Sequence, residues 1–120
     1  MLGEINSRYK DFYDIHVLAS QFAFDGERLA RAIAATFERR RATIDTTLPV
    51  ALAPRFYADD RRAEQWRTYL TRNPGAPTDW GLAGELIRAF LEPPWQALAA
   101  GRAFADARSP GGPWSGRIRP

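Results

Sequence analysis

The chain has 120 residues, 45% hydrophobic and 26% charged, with a net charge of +3 and no cysteine. Such a length and composition describe one globular domain or part of one. The lack of cysteine excludes disulfides, thiol catalysis and Cys-ligated metals, and no apolar run is long enough to span a membrane. Seventeen basic residues, sixteen Arg and the single Lys10, are mixed with fourteen acidic ones. Most of the arginines therefore read as a solvated surface, because only a clustered basic face would mark a nucleic-acid footprint. The first residues, MLGEINSRYKDFYD, lack the apolar stretch and cleavage site of a secretory signal, so a cytoplasmic protein is expected.

Taken in chain order, Ser7 to about Gln21 reads as the first helix, with Ser7 as its cap and Asp11 and Asp14 near its first turns. Phe12, Ile15, Leu18, Ala19 and Phe22 gather on one side and are expected to be core. Phe24-Asp25-Gly26 breaks the pattern, and Asp25 is a plausible N-cap for a second helix from Gly26 to about Arg40. Leu29, Ile33 and Phe37 recur at four-residue steps there, with Ala30 and Ala34 small enough to let the second helix lie close on the first. Phe22 and Phe24 would pin that joint. Arg39-Arg40-Arg41 suits the negative end of a helix dipole without any ligand. Thr43 to Pro54 reads as a loop, and its TTLPVAL stretch is a poor strand because of the proline. Asp59 or Asp60 starts a third helix to about Arg72, burying Ala63, Trp66 and Leu70. Asn73-Pro74-Gly75-Ala76-Pro77 is a turn. Thr78 or Asp79 caps a fourth helix that buries Leu82, Leu86, Ile87, Phe90 and Leu91, and Pro93-Pro94 is expected to break or kink it.

The expected fold is therefore mainly α: a small helical bundle of about four helices over residues 1–105, followed by a disordered Pro/Gly-rich tail over 106–120.

Few groups here carry chemistry. His16 is the only histidine, and its helix neighbours Phe12 and Ala19 make it a packed or partly exposed side chain; zinc binding needs more ligands than one His can offer. There is no Gly-rich phosphate loop. Asp59-Asp60 point in different directions and read as a helix start. Lys10 and Asp14 face the same way, about 40° apart around the axis at about 100° per residue, with Asp11 about 60° further round. Lys10, Asp11 and Asp14 thus form one compact charged set, which the residues alone explain better as an ordinary surface ion pair.

The stretch LGEINSRYKDFYDIHVLA, followed by FDGERLARAIAATFERRR, resembles the C-terminal part of the AbiEii/AbiGii nucleotidyltransferase toxins. The resemblance rests on an Arg-x-Lys-Asp-x-x-Asp helix, here Arg8, Lys10, Asp11 and Asp14, on a Phe-Asp-Gly joint, and on a second helix ending in Thr36-Phe37 and basic residues. It is dense over residues 2 to 41. It implies that this chain is the helical C-terminal part of an α/β nucleotidyltransferase-like protein from a toxin–antitoxin or phage-defence system. The intact family enzyme would transfer a nucleotide from an NTP, with Mg²⁺, to an acceptor such as tRNA. The family's Gly-Ser turn and metal-holding Asp-x-Asp strand are not found in these residues, so the chain alone is expected to bind no cofactor and to be inactive, and Met1 looks like an internal or misassigned start. By the same resemblance the Lys-Asp-x-x-Asp helix lines the nucleotide cleft, with Lys10 and Arg8 contacting the nucleotide, and Asp11 or Asp14 orienting that lysine or the acceptor. The implied partners are an N-terminal nucleotidyltransferase core, a cognate antitoxin and tRNA. The rival readings are a small Arg-rich RNA- or protein-binding helical module and a non-functional gene remnant.

Overall fold

A computed structural model describes residues 2–39 and 52–116, with side chains from 9 to 35 and from 52 to 116. Five helices and three two-residue strands occur among them: α1 (Leu2–Gln21), β1 (Phe24–Asp25), α2 (Gly26–Arg39), α3 (Pro54–Tyr57), α4 (Asp60–Arg72), α5 (Trp80–Ala99), β2 (Ala107–Arg108) and β3 (Trp114–Ser115). The architecture is mainly helical, as the periodicity predicts. No helix among the described residues is long and apolar enough to cross a membrane.

α5 is the central element, and α1, α2, α3 and α4 all pack on it. Its buried line is Trp80, Ala83, Gly84, Ile87, Phe90, Pro94, Trp95 and Ala97. At its N-terminal end lies an aromatic cluster. The Trp80 ring has Tyr9, Phe12, Tyr57 and Trp66 at centroid distances of 5.7, 5.4, 4.7 and 5.1 Å, within the range of favourable aromatic pairs. The Trp80 indole N–H donates to the Phe56 carbonyl at 3.2 Å. α3, a single turn absent from the sequence reading, begins on Pro54, which tolerates the first helical position because its missing N–H is not needed there.

The caps fall where the residues ask for them. Asp59 precedes α4 and accepts from the Arg61 and Arg62 amides at 2.8 and 3.3 Å. Asp79 precedes α5 and accepts from the Leu82 amide at 3.2 Å. Asp25 accepts from the Glu27 amide at 2.9 Å. Trp66 and Leu70 are buried on α4 as expected.

Four expectations are corrected. First, α1 starts at Leu2, so Ser7 lies inside the helix and not at its N-terminus; no proline or turn pair interrupts Leu2–Asn6. Second, its buried stripe is Tyr9, Phe12, His16 and Ala19, whereas Ile15 is half-buried and Leu18 and Phe22 are 42% and 52% exposed. The helix is turned so that the Tyr9 and Phe12 rings meet Trp66 and Trp80, and burial in that aromatic cluster outweighs the contacts Leu18 and Phe22 would make. Third, α2 lies against α5. Phe24 reaches the Phe90 ring at 4.8 Å and holds the joint there, and Ala30 is buried. On α5 itself Leu82 is exposed and Leu86 and Leu91 are only half-buried. Phe37, the Arg39-Arg40-Arg41 side chains and TTLPVAL as far as Ala51 lie outside the described residues.

The fourth correction concerns the end of the chain. α5 continues as helix through Pro93 and Pro94 and is not broken there, and residues 101–116 fold back over it. β2 pairs antiparallel with β1 on one side and β3 on the other, giving the order β1-β2-β3. Strands of two residues carry no alternating pattern to find. A proline at position i leaves the carbonyl at i−4 without its helical donor. For Pro94 that carbonyl belongs to Phe90, and the Trp114 indole N–H donates to it at 2.8 Å. The Trp114 ring also stacks on Phe90, 6.2 Å between centroids and 4° from parallel.

Arg108 is the second anchor. It is 2% exposed, with its guanidinium 5.0 Å from the Phe90 ring centre and Gly112 on it so closely that a Cβ there would sit 2.8 Å from Nη2. Arg108 Nη1 donates to the Ala19 carbonyl, and the Gly111 amide donates to the same oxygen at 2.9 Å. Ala19 is in the last turn of α1, which has no basic residue of its own. The tail thus supplies the cation that a helix C-terminus favours.

Candidate functional site

α1 carries Lys10, Asp11 and Asp14 on its open side, opposite the face that enters the aromatic cluster. Lys10 Nζ donates to Asp14 Oδ2 at 2.8 Å, with both side chains half or more exposed. That bond, followed by the carboxylate's charge, holds the Lys10 ammonium above its ordinary pKa. The pair forms in the spacing read from the sequence. An exposed ion pair of this kind adds little to folding, so what it offers is a fixed cation at the surface. Asp11 is exposed and makes no hydrogen bond to a described residue; the structure does not bring it into the pair. The Arg8 side chain lies outside the described residues.

Three groups around this pair carry no signal strong enough to be read in advance. Tyr9 and Tyr13 flank Lys10 in the helix and bolt it down. Tyr9 donates its hydroxyl hydrogen to Gln65 Oε1 on α4 at 2.7 Å. Tyr13 donates to the Pro74 carbonyl, also at 2.7 Å. The neighbouring Gly75 has φ of 128°, and a Cβ there would fall 2.6 Å from the Tyr13 oxygen, so the turn needs glycine both for its backbone and for that hydroxyl. The third group is Tyr69 of α4. Its ring lies 5.9 Å from Tyr13, edge to face, and stacks on Trp66 at 6.4 Å and 16°. Its phenol is raised above its usual pKa, chiefly by burial and then by the Asp14 carboxylate, while Lys10 opposes the shift. Tyrosines at Tyr9 and Tyr13 are visible in the motif, but nothing in the sequence joins Tyr69 to it.

The other candidates resolve into structure. Asp59 is spent on the α4 cap and on Arg62, and its pKa is lowered, first by the Arg62 amide. A hollow between Tyr57, Asp59, Asp60, Arg67, Asp79 and Trp80 separates the starts of α4 and α5, and two of its three carboxylates are those caps. Among the described residues no three His, Asp or Glu side chains converge as metal ligands do.

His16 is packed, 6% exposed, and its Nδ1 has no hydrogen-bond partner. Burial alone pushes its pKa below the ordinary 6.5. The sign follows from linkage: the unfolded chain takes up the proton first, so stability is full above about pH 6.5 and falls as pH drops from there toward the folded-state value. Urea midpoints should therefore be lower at pH 5.5 than at pH 7.5, and His16→Gln should flatten that part of the profile. An unchanged profile in the variant would assign the dependence to other groups.

A family model described as nucleotidyl transferase AbiEii toxin, type IV TA system, matches residues 1–100. It takes in α1 with its Lys10–Asp14 pair, and α2 to α5, and ends before the folded-back segment. No curated protein and no solved structure matches the chain.

Proposed function

The chain belongs to the AbiEii family of nucleotidyltransferase toxins of type IV toxin–antitoxin systems, and on that premise we propose that it is the helical part of an enzyme that transfers a nucleotide from an NTP to an acceptor such as tRNA. Its setting would be the cytoplasm, in phage defence, under control of a cognate antitoxin. The observation that carries the reading is the Lys10–Asp14 pair, 2.8 Å apart, displayed on a helix that two tyrosines hold in place. In this proposal Lys10 contacts phosphate, Asp14 orients Lys10, and the unpaired Asp11 faces the acceptor. In this proposal a Gly-Ser and Asp-x-Asp core, not found in these residues, would hold Mg²⁺ and most of the triphosphate. Phe22 and Leu18, exposed at the end of α1, offer apolar contact to that core.

This chain alone is not expected to hold a nucleotide as the intact enzyme would, but the phosphate contact of Lys10 is expected to show as weak, millimolar binding, and the test is an NMR titration of the 120-residue chain with ATP and Mg²⁺. Amide shifts centred on Lys10 to Asp14 are expected. Lys10→Ala should weaken the interaction by about tenfold, since a hydrogen bond to a charged group contributes about 1.5–3 kcal/mol. No shift at millimolar ATP, or an affinity indifferent to Lys10→Ala, overturns the reading.

A further inference from the structure

The seam between α1 and α4 is fixed in register by two contacts. Tyr9 donates to Gln65, and one turn further on the Tyr13 ring meets Tyr69. Each helix therefore turns a known flank to that seam. At about 100° per residue, Lys10 lies about 60° beyond Tyr13 around α1, on the side away from the buried Phe12. On α4, Arg61, Thr68 and Arg72 lie within about 60° of Gln65, on the side away from the buried Trp66 and Leu70. Lys10, Arg61, Thr68 and Arg72 are exposed, and the half-buried Tyr13, Gln65 and Tyr69 lie between the two helices.

The row on α4 has two features that its own helix does not account for. Neither Arg61 nor Arg72 enters an ion pair among the described residues. The acidic Asp60 and Glu64 fall with Arg67 on the next flank, about 60–120° round from Arg61, so the row itself carries only positive charge. Arg72 suits the last turn of a helix, but Arg61 stands in the first turn, where the helix dipole disfavours a cation. From Arg61 to Arg72 the row rises about 16 Å, more than one phosphate occupies. Lys10 is level with its middle, since Tyr9 and Tyr13 are level with Gln65 and Tyr69. Cations in line beside partly exposed rings suit single-stranded nucleic acid, whose phosphates take the guanidinium forks and whose bases rest on the rings. An acidic peptide would use the cations and leave the rings idle.

We propose that Arg61 and Arg72, with Thr68 between them, hold the phosphate backbone of a single-stranded RNA that lies along α4 and passes Lys10 midway. The inference rests on the function proposed above, for which it supplies the chemistry of the acceptor and the surface that receives it. The α4 row grips the acceptor strand, and Lys10 across the seam faces the nucleotide to be transferred.

Fluorescence anisotropy of a short labelled oligouridylate, titrated with the full chain at several salt concentrations and without ATP, tests it. Log affinity should fall by about 0.7 per decade of salt for each phosphate held. Arg61→Gln and Arg72→Gln should each flatten that slope by about 0.7 and weaken binding about fivefold at low salt. Arg67→Gln, on the next flank, should change affinity less than about twofold. Equal losses from all three variants would mean diffuse attraction to positive charge and overturn the inference, as would no binding at low salt. Displacement of the RNA by a polyglutamate peptide as readily as by unlabelled oligouridylate would also overturn it, because the surface would then suit an acidic protein segment. ATP affinity indifferent to Lys10→Ala is a separate failure: it removes the nucleotidyl-transfer reading, whereas the α4 row is read from RNA binding alone.

Discussion

Trp66→Ala is expected to lower the stability of the chain by about 3–5 kcal/mol, the usual cost of deleting a large buried aromatic. Domains of this kind are stable by only about 5–15 kcal/mol, so the variant is close to unfolding. Trp66 is 0% exposed, and it joins three elements. Its ring meets Tyr9 of α1 at 6.3 Å, Trp80 of α5 at 5.1 Å and Tyr69 on its own helix at 6.4 Å. Its indole N–H donates to the Pro77 carbonyl at 2.8 Å, fixing the turn between α4 and α5. Alanine would leave a cavity, orphan that carbonyl and remove the backing of both Tyr9 and Tyr69. Urea denaturation followed by far-UV circular dichroism is the measurement. A loss under about 1 kcal/mol would show that the cluster closes over the gap and that Trp66 is not its keystone.

Removal of residues 101–120 should cost about 1–5 kcal/mol, although the family match ends at residue 100. Two separable terms make up the figure. Without Trp114 the Phe90 carbonyl, freed by Pro94, has no donor, and a buried orphan costs about 1–3 kcal/mol. Without Arg108 the end of α1 loses both its cation and a donor to the Ala19 carbonyl, worth up to about 2 kcal/mol in a partly buried setting. Trp114→Phe isolates the first term, because phenylalanine keeps a ring on Phe90 but has no N–H. Arg108→Met isolates the second. Burial lowers the Arg108 pKa, and Nε and Nη2 have no partner. Methionine would remove those unsatisfied groups, so it should be milder than Arg108→Ala, which also leaves a gap between Phe90 and Gly112. If residues 1–100 unfolded at the same urea concentration as the full chain, the folded-back segment would be ornamental.

The contrast between these predictions and the motif shows how far local pattern reaches. Asp25, Asp59 and Asp79 are legible as caps because a cap needs only a short polar side chain and the amides two or three residues on. The Lys10–Asp14 pair is legible because one turn of helix brings the two side chains together. Tyr69, in contrast, meets Tyr13 only because α4 packs on α1, and the burial of Tyr9 and Phe12 in place of Leu18 and Phe22 follows from which rings α4 and α5 present. Pro93-Pro94 reads as a break by local rules. It is helical here because α5 is braced along its length, and a tryptophan from the far end of the chain replaces the lost donor to Phe90.

The sequence by itself determined the helical class, the caps, the Trp66 core position, the charged set on α1 and the family likeness, all of which depend on residues within a few turns of one another. Tertiary structure decided the rotation of α1, the seat of α2 on α5, the place of Tyr69 beside Tyr13, and the pairing of Ala107–Arg108 and Trp114–Ser115 as strands. Those outcomes depend on contacts between segments far apart in the chain. There the gain from burying rings and satisfying carbonyls is weighed against the entropy of closing long loops, and no local pattern records the balance.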